Sequence, residues 1–151
     1  IQMDADMSHN PSDIPRLIES SKKYDLVIGS RYINGIRIIN WPLSRLILSY
    51  GANLYARLFT SMKIKDCTGG FKCIDSKILK TINLQNINSQ GYSFQVEFNY
   101  LSFINNFSIV EIPIIFTERD KGESKMSKKV ILEAVFLVPL LRIKNLLKKN
   151  K

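Results

Sequence analysis

A chain of 151 residues with 45% hydrophobic and 23% charged side chains can build one domain with a real core, which excludes an intrinsically disordered chain. Its net charge of +9 leaves two readings open, plain solubility with a Lys-rich tail or an anionic partner: nucleic acid, phosphorylated substrate or anionic membrane. No window reaches the roughly 18 uninterrupted apolar residues of a spanning helix, and Cys67, Cys73 and the single histidine, His9, do not make a structural zinc site.

In chain order, Ile1 to Ala5 reads as the end of a buried strand. Because Ile1 is not a start methionine, a fragment lacking its N-terminal part is expected. Ser12 is expected to cap a helix from about Asp13 to Lys23, with Pro15 in its first turn. The apolar run Asp25 to Gly29 predicts a buried strand, and strand–helix–strand alternation predicts an α/β fold. Asn34 to Asn40 is a loop. Pro42 to about Met62 is helical, with Leu43, Leu46, Ile47, Leu54 and Leu58 as its apolar face and Arg45, Ser49 and Asn53 on another. Asp66 to Gly70 is a turn, Phe71 to Ile74 a strand, and Asp75 to Ile82 a helix. Ser93 to Asn105 is an aromatic-rich helix with its rings in the core, and Ile109 to Phe116 a strand that Pro113 places at an edge or bulge. Glu118 to Lys129 is polar, and Val130 to Leu147 is an apolar helix interrupted by Pro139. Cys67 and Cys73 are expected as buried free thiols of a reducing compartment.

Several groups in this order can carry chemistry. Asp4 and Asp6 lie two apart in an extended segment, so both carboxylates point to one side. They are either two solvated acids in a turn or a pair held together by Mg²⁺ or Mn²⁺, with Ser8 as a third oxygen. His9 reads as structural or surface rather than catalytic. Arg31 follows a buried strand and emerges at its carboxyl end, where α/β folds build sites. Arg45 and Ser49, one helical turn apart, form either a phosphate clamp or a solvated polar face. The glycines after Asp66 allow close approach of backbone to a ligand. Beyond Leu147 the tail gathers Lys148, Lys149 and Lys151, so the final helix is either an in-plane anchor for anionic lipid or a helix packed on the domain.

Six stretches, in one order, resemble the dolichyl-phosphate (polyprenyl-phosphate) mannosyltransferases, which belong to the family-2, GT-A-type glycosyltransferases. They are Met3 to His9, Gly29 to Tyr32, Trp41 to Arg45, Asp66 to Phe71, Gly91 to Glu97 and Arg119 to Lys125. The resemblance implies a GT-A α/β fold, a mixed sheet flanked by helices, whose first segment, with much of the nucleotide-base pocket, is absent from this sequence. It implies a catalytic portion over 1–129 and an amphipathic, basic, membrane-interface helix over 130–151. By the resemblance, Asp4 and Asp6 hold a divalent metal and the donor diphosphate, with Ser8 able to face the metal. Arg31, Arg45 and Ser49 contact phosphate, Asp66 and Glu97 lie near the sugar, and Arg119 and Lys125 belong to a loop that closes over the phosphates. Arg119 is the candidate for stabilising charge in the transition state.

The resulting expectation is an inverting, metal-dependent transfer of mannose from GDP-mannose to a polyprenyl phosphate, by a cytoplasmic enzyme lying peripherally on the cytoplasmic face of a membrane. Its partners are then the nucleotide sugar, the polyprenyl phosphate lipid and the membrane surface, with no nucleic acid. The alternatives are a related polyprenyl-phosphate transferase of glucose or N-acetylhexosamine from a UDP-sugar, and a non-catalytic basic lipid-binding module.

Overall fold

The structure, a computed structural model, describes residues 1–87, 89–118 and 128–149, and within the last segment the side chains of 134–147. A three-stranded sheet forms its centre. Strand β1 (Leu26–Ser30) runs antiparallel to β3 (Lys72–Ile74) and parallel to β4 (Ile109–Pro113), giving the order β3-β1-β4. Gln2 adds an antiparallel bridge on the outer side of β3, through reciprocal hydrogen bonds of 2.8 and 2.9 Å with Lys72. The expected strand end at the start of the chain is thus a single bridge, after which the backbone bends over residues 5–7. A second, two-stranded sheet pairs β2 (Ile38–Ile39) with β5 (Phe116–Thr117) in parallel. The strand expected over Ile109 to Phe116 is therefore two strands in different sheets, broken after Pro113, whose missing N–H cannot continue a ladder.

Side chains alternate across β1, and the core divides accordingly. Val27 faces Leu17, Phe71 and Ile114, beneath helix α1 (Ile14–Ser21). Leu26 and Ile28 face the larger cluster on the other side, with Ile78 of α3 (Ser76–Thr81), Ala56 of α2 (Leu43–Thr60), Val96 and Phe98 of α4 (Gly91–Ile104), and Val138 and Leu141 of α5 (Lys128–Lys149). The result is the expected α/β layering, with Phe98 and Tyr100 in the core as read from the sequence. Gly29 is required by crowding: a Cβ there would lie 3.1 Å from both Ile114 and Phe71 side-chain carbons. Asn10, rather than Ser12, opens the first helical segment, its side chain accepting from Ser12 N at 3.0 Å at the start of a 3-10 turn (Pro11–Asp13) that runs into α1.

Helix α2 reverses its expected orientation. Leu43, Ile47, Leu54 and Leu58 are 70%, 64%, 44% and 70% exposed, whereas Ser49, Asn53, Ala56 and Thr60 are buried. Leu48 and Tyr50 are exposed as well. The polar face turns inward because partners wait there. Asn53 Nδ2 donates to Ser49 O at 2.9 Å and Asn53 Oδ1 accepts from Thr68 N at 3.2 Å. Tyr32 Oη donates to Ser49 Oγ at 2.7 Å. Buried polar groups paired in this way cost little, and the leucines are left for another surface.

Helix α5 packs on α2 and α4, burying Val138 and Leu141, while Phe136, Ile143 and Leu147 remain 73%, 52% and 63% exposed. Packing of this helix on the domain is thus observed, and one apolar face lies outside that packing. Pro139 has no N–H for the carbonyl of Val135, one turn earlier, and Tyr55 Oη supplies the missing donor at 2.7 Å. Arg142 reaches Phe59 O at 3.1 Å and Ser61 Oγ, capping the carboxyl end of α2.

The Tyr55–Pro139 relation sets up a double-mutant cycle. Tyr55→Phe should cost about 1 kcal/mol in denaturant unfolding, and markedly less in a Pro139→Ala background, where an alanine N–H can take the Val135 carbonyl.

Candidate active site

The carboxyl end of β1 leads directly into Arg31, which is 5% exposed and surrounded by Tyr32, Trp41 and Phe116 with its guanidinium carbon 5.5–5.6 Å from each ring. Asp66, 0% exposed, answers it. Arg31 Nε donates to Asp66 Oδ2 at 2.7 Å, Nη2 to Oδ1 at 2.6 Å, and the Arg31 backbone N–H to Oδ2 at 2.9 Å. Arg31 Nη2 also donates to Thr68 Oγ1 at 2.8 Å. Burial pushes the Asp66 carboxyl up, but the charge and hydrogen bonds of Arg31 outweigh it and hold it below the usual carboxylate range. With both oxygens taken and no exposed surface, Asp66 is the counter-ion of Arg31. Arg31 correspondingly spends three of its donors inside the protein.

Asp4, Asp6 and Ser8 come together as expected, lining a small cavity of about 40 Å³ with Arg45, Tyr92, Phe116 and Glu118. Asp6 Oδ1 accepts from Ser8 N at 3.2 Å and from Ser8 Oγ at 2.5 Å, so Ser8 orients Asp6. Met7, at φ 64°, makes the tight turn that allows this. His9, 3% exposed, stacks on Phe71 at 5.0 Å and accepts from Asp4 N on Nδ1 at 3.3 Å. Burial pushes its imidazole pKa down, and a neutral ring with the proton on Nε2 fits that bond. His9 is therefore structural and holds the backbone at Asp4. Among the described residues no cluster of three or more His, Cys, Asp or Glu side chains can hold a metal. Two carboxylates lining one cavity nevertheless suit a hard cation whose other positions are filled by water and substrate phosphate.

A second cavity, about 390 Å³ and almost wholly apolar, runs between α2, α4 and α5. Arg31, Ser49 and Thr68 lie on its wall with Trp41, Ile47, Tyr55, Val96 and Val135. Tyr92 borders both cavities. Arg45 and Ser49 are thereby divided: Ser49 faces the apolar cavity, while Arg45 lies over the Trp41 ring at 4.0 Å and pairs through Nη1 with Glu118. Glu97 lines neither cavity and accepts from Ser89 Oγ at 2.5 Å. Gln95, from the same motif, also lines neither cavity, but its Nε2 comes near Gly70 and the Asp4 carboxylate. Arg119 and Lys125 lie outside the described residues. Cys67 is a buried thiol pushed up to about 12 by burial, donating to Ile64 O at 3.3 Å, and Cys73 is half-buried and free.

Tyr92, Trp41, Glu118 and Lys72 were not assigned roles from the sequence. Trp41 and Tyr92 stand inside the recognised stretches, but nothing in their spacing tells a wall residue from a core residue. Lys72 did leave a signal, a lone cation within an apolar strand.

A family model described as glycosyl transferase family 2 matches residues 1–82. The chain belongs to glycosyl transferase family 2. It is 43% identical over 135 residues to an undecaprenyl-phosphate mannosyltransferase of Micrococcus luteus, covering 89% of this chain and 56% of that protein. It is 44% identical over 139 residues to a polyprenol monophosphomannose synthase of Mycolicibacterium smegmatis, covering 91% and 52%. With a dolichol-phosphate mannosyltransferase of Saccharomyces cerevisiae it shares 36% over 135 residues, covering 87% and 50%. The chain thus spans about half the length of these relatives. The mixed sheet flanked by helices is the corresponding part of a GT-A fold.

Removing the Asp66 charge should be severe. Asp66→Asn leaves the Arg31 guanidinium buried without its counter-ion and should cost about 3–5 kcal/mol of stability in denaturant titration. Because the folded-state pKa of Asp66 lies below its unfolded value, the stability it adds is complete above about pH 4 and lost as pH falls through the lower folded value. The acid limb of the unfolding profile should therefore flatten in Asp66→Asn.

Proposed function

We propose that this chain is part of an inverting glycosyltransferase that transfers mannose from GDP-mannose to a polyprenyl phosphate at a membrane surface. One observation carries the reading. Trp41 Nε1 and Arg45 Nε are buried donors with no hydrogen-bond partner among the described residues; Trp41 lines the apolar cavity, and Arg45, over its ring at 4.0 Å, lines the acidic one. Buried N–H groups call for an acceptor, and an anionic oxygen suits a guanidinium and an indole side by side. A phosphate there would trail its apolar chain into the 390 Å³ cavity and face the carboxylates of Asp4 and Asp6 with its charged end. The relatives' names specify a lipid phosphate as acceptor and mannose as the sugar.

The acceptor phosphate oxygen attacks the anomeric carbon while the bond from that carbon to the nucleoside diphosphate breaks, inverting the configuration. A phosphate monoester is largely ionised at neutral pH, so the attack needs no strong general base. Arg45, freed from Glu118, holds the attacking phosphate, with Ser49 on the adjoining wall. Arg31 and Asp66 keep the wall rigid. Asp4 and Asp6 would hold a divalent metal, Mg²⁺ or Mn²⁺, which supplies neutralisation of the charge on the departing diphosphate. Arg119 and Lys125 are proposed to add positive charge at the same end.

The outward leucines of α2 and the exposed apolar residues of α5 support peripheral attachment to a membrane, with Arg142 and Lys144 exposed on α5 to meet anionic headgroups. No helix among the described residues is long and apolar enough to cross a membrane. The cytoplasmic face is proposed because nucleotide sugars are the donors, and residues 130–151 are proposed as the anchor.

In the full chain, Asp4→Asn should lower mannosyl transfer to polyprenyl phosphate by about 10²-fold or more with fold and lipid binding intact. A purely lipid-binding module would lose nothing, and transfer from UDP-glucose but not GDP-mannose would overturn the mannose assignment. Replacing Leu43, Ile47 and Leu58 together by serine should reduce flotation with anionic vesicles while leaving the unfolding midpoint nearly unchanged, since none of the three is in the core.

A further inference from the structure

Lys72 is a cation where a cation is costly. It lies in β3 at 0% exposure, and burial pushes its ammonium down to about 7 despite the neighbouring Asp66 carboxylate. Its Nζ donates to Gln95 Oε1 at 2.6 Å and sits 5.4 Å from the Phe98 ring centre. An ammonium has donors only, so Gln95 must present its oxygen to Lys72, and that choice fixes which end of the carboxamide points away. The end pointing away is Nε2, and it lies near Gly70 and Asp4. A carbon placed where a Gly70 side chain would begin comes 3.7 Å from Gln95 Nε2, 3.5 Å from Asp4 Oδ1 and 3.7 Å from Asp4 Oδ2. An amide donor and a carboxylate acceptor thus border one gap that glycine leaves empty.

Hydrogen-bond chemistry narrows the occupant. A phosphate oxygen accepts only, so it could meet Nε2 but would take nothing from Asp4 without a bridging cation. A hydroxyl both donates and accepts, and satisfies both walls at once. We propose that Gln95 binds a hydroxyl of the donor hexose beside Asp4, and that Lys72 is the positioning residue that holds the Gln95 carboxamide in the binding orientation. This rests on the reading that a nucleotide sugar occupies the cavity of Asp4 and Asp6. It replaces Asp66 and Glu97, which the fold occupies elsewhere, with a residue placed to touch the sugar.

The test compares binding of GDP-mannose and of GDP, each with Mn²⁺, to the full chain by calorimetry, together with thermal unfolding. Gln95→Leu should weaken GDP-mannose about tenfold and leave GDP within about twofold of wild type. Gly70→Ala, whose methyl meets only ordinary contacts, should do the same by filling the gap. Lys72→Met should weaken GDP-mannose selectively while its unfolding midpoint stays level or rises, because a buried charge has been removed. Equal weakening of GDP and GDP-mannose by Gln95→Leu would assign the contact to the diphosphate and overturn the proposal, as would unchanged binding of both. A Lys72→Met protein that loses binding only through a lowered midpoint would overturn the positioning role. If the wild-type chain prefers a UDP-sugar, the same ratio is measured with that sugar and UDP, so failure of the mannose reading shows in the wild type and failure of the Gln95 assignment shows in the ratio.

Discussion

The buried pairing of Arg31 with Asp66 ties together the elements that form the site. Asp66 accepts from the backbone and side chain of Arg31, joining the end of β1 to the 66–70 turn. Thr68, two residues on, receives Arg31 Nη2 and exchanges hydrogen bonds with Asn53 of α2. Glu111 of β4 holds the turn from behind, accepting from Lys65 N and Asp66 N at 2.8 Å each. Two charges at such depth carry a desolvation cost, offset here by a bidentate geometry with each carboxylate oxygen engaged. The same pair explains why α2 turns its polar face inward: Ser49 and Asn53 join a hydrogen-bond network already anchored by Arg31.

That inversion has a consequence on the opposite side of the helix. Every inward position given to serine, asparagine or threonine leaves a leucine or isoleucine facing out. The apolar surface of α2 and the exposed face of α5 therefore arise from the packing that builds the cavity wall. Under the proposed function, membrane attachment and acceptor binding use two faces of this one helix. Tyr55 adds to the coupling, since its hydroxyl satisfies the carbonyl that Pro139 orphans in α5 while its side chain lines the apolar cavity.

Much of this was legible in the sequence. The carboxylates of Asp4 and Asp6 do line one cavity, though a bend over residues 5–7 rather than strand alternation brings them there, and the ordered motifs identified the family because motif order survives without coordinates. The strands at 25–29 and 71–74 and the helix at 42–62 were readable because local pattern determines them. What periodicity could not reveal is which face of an amphipathic helix meets the core, since a polar face can be buried once another segment supplies its partners. Asp66 was placed near the sugar only by the family resemblance, and Arg31, arriving from 35 residues away in sequence, engages its oxygens. Glu97 and Gln95 lie two apart in one motif, and helix geometry turned the amide, not the acid, toward Asp4. The sequence by itself thus determined the residue types, their order and the family. Tertiary structure decided which donors and acceptors are consumed inside the protein and which remain for a ligand, because that depends on partners that only folding brings within hydrogen-bond distance.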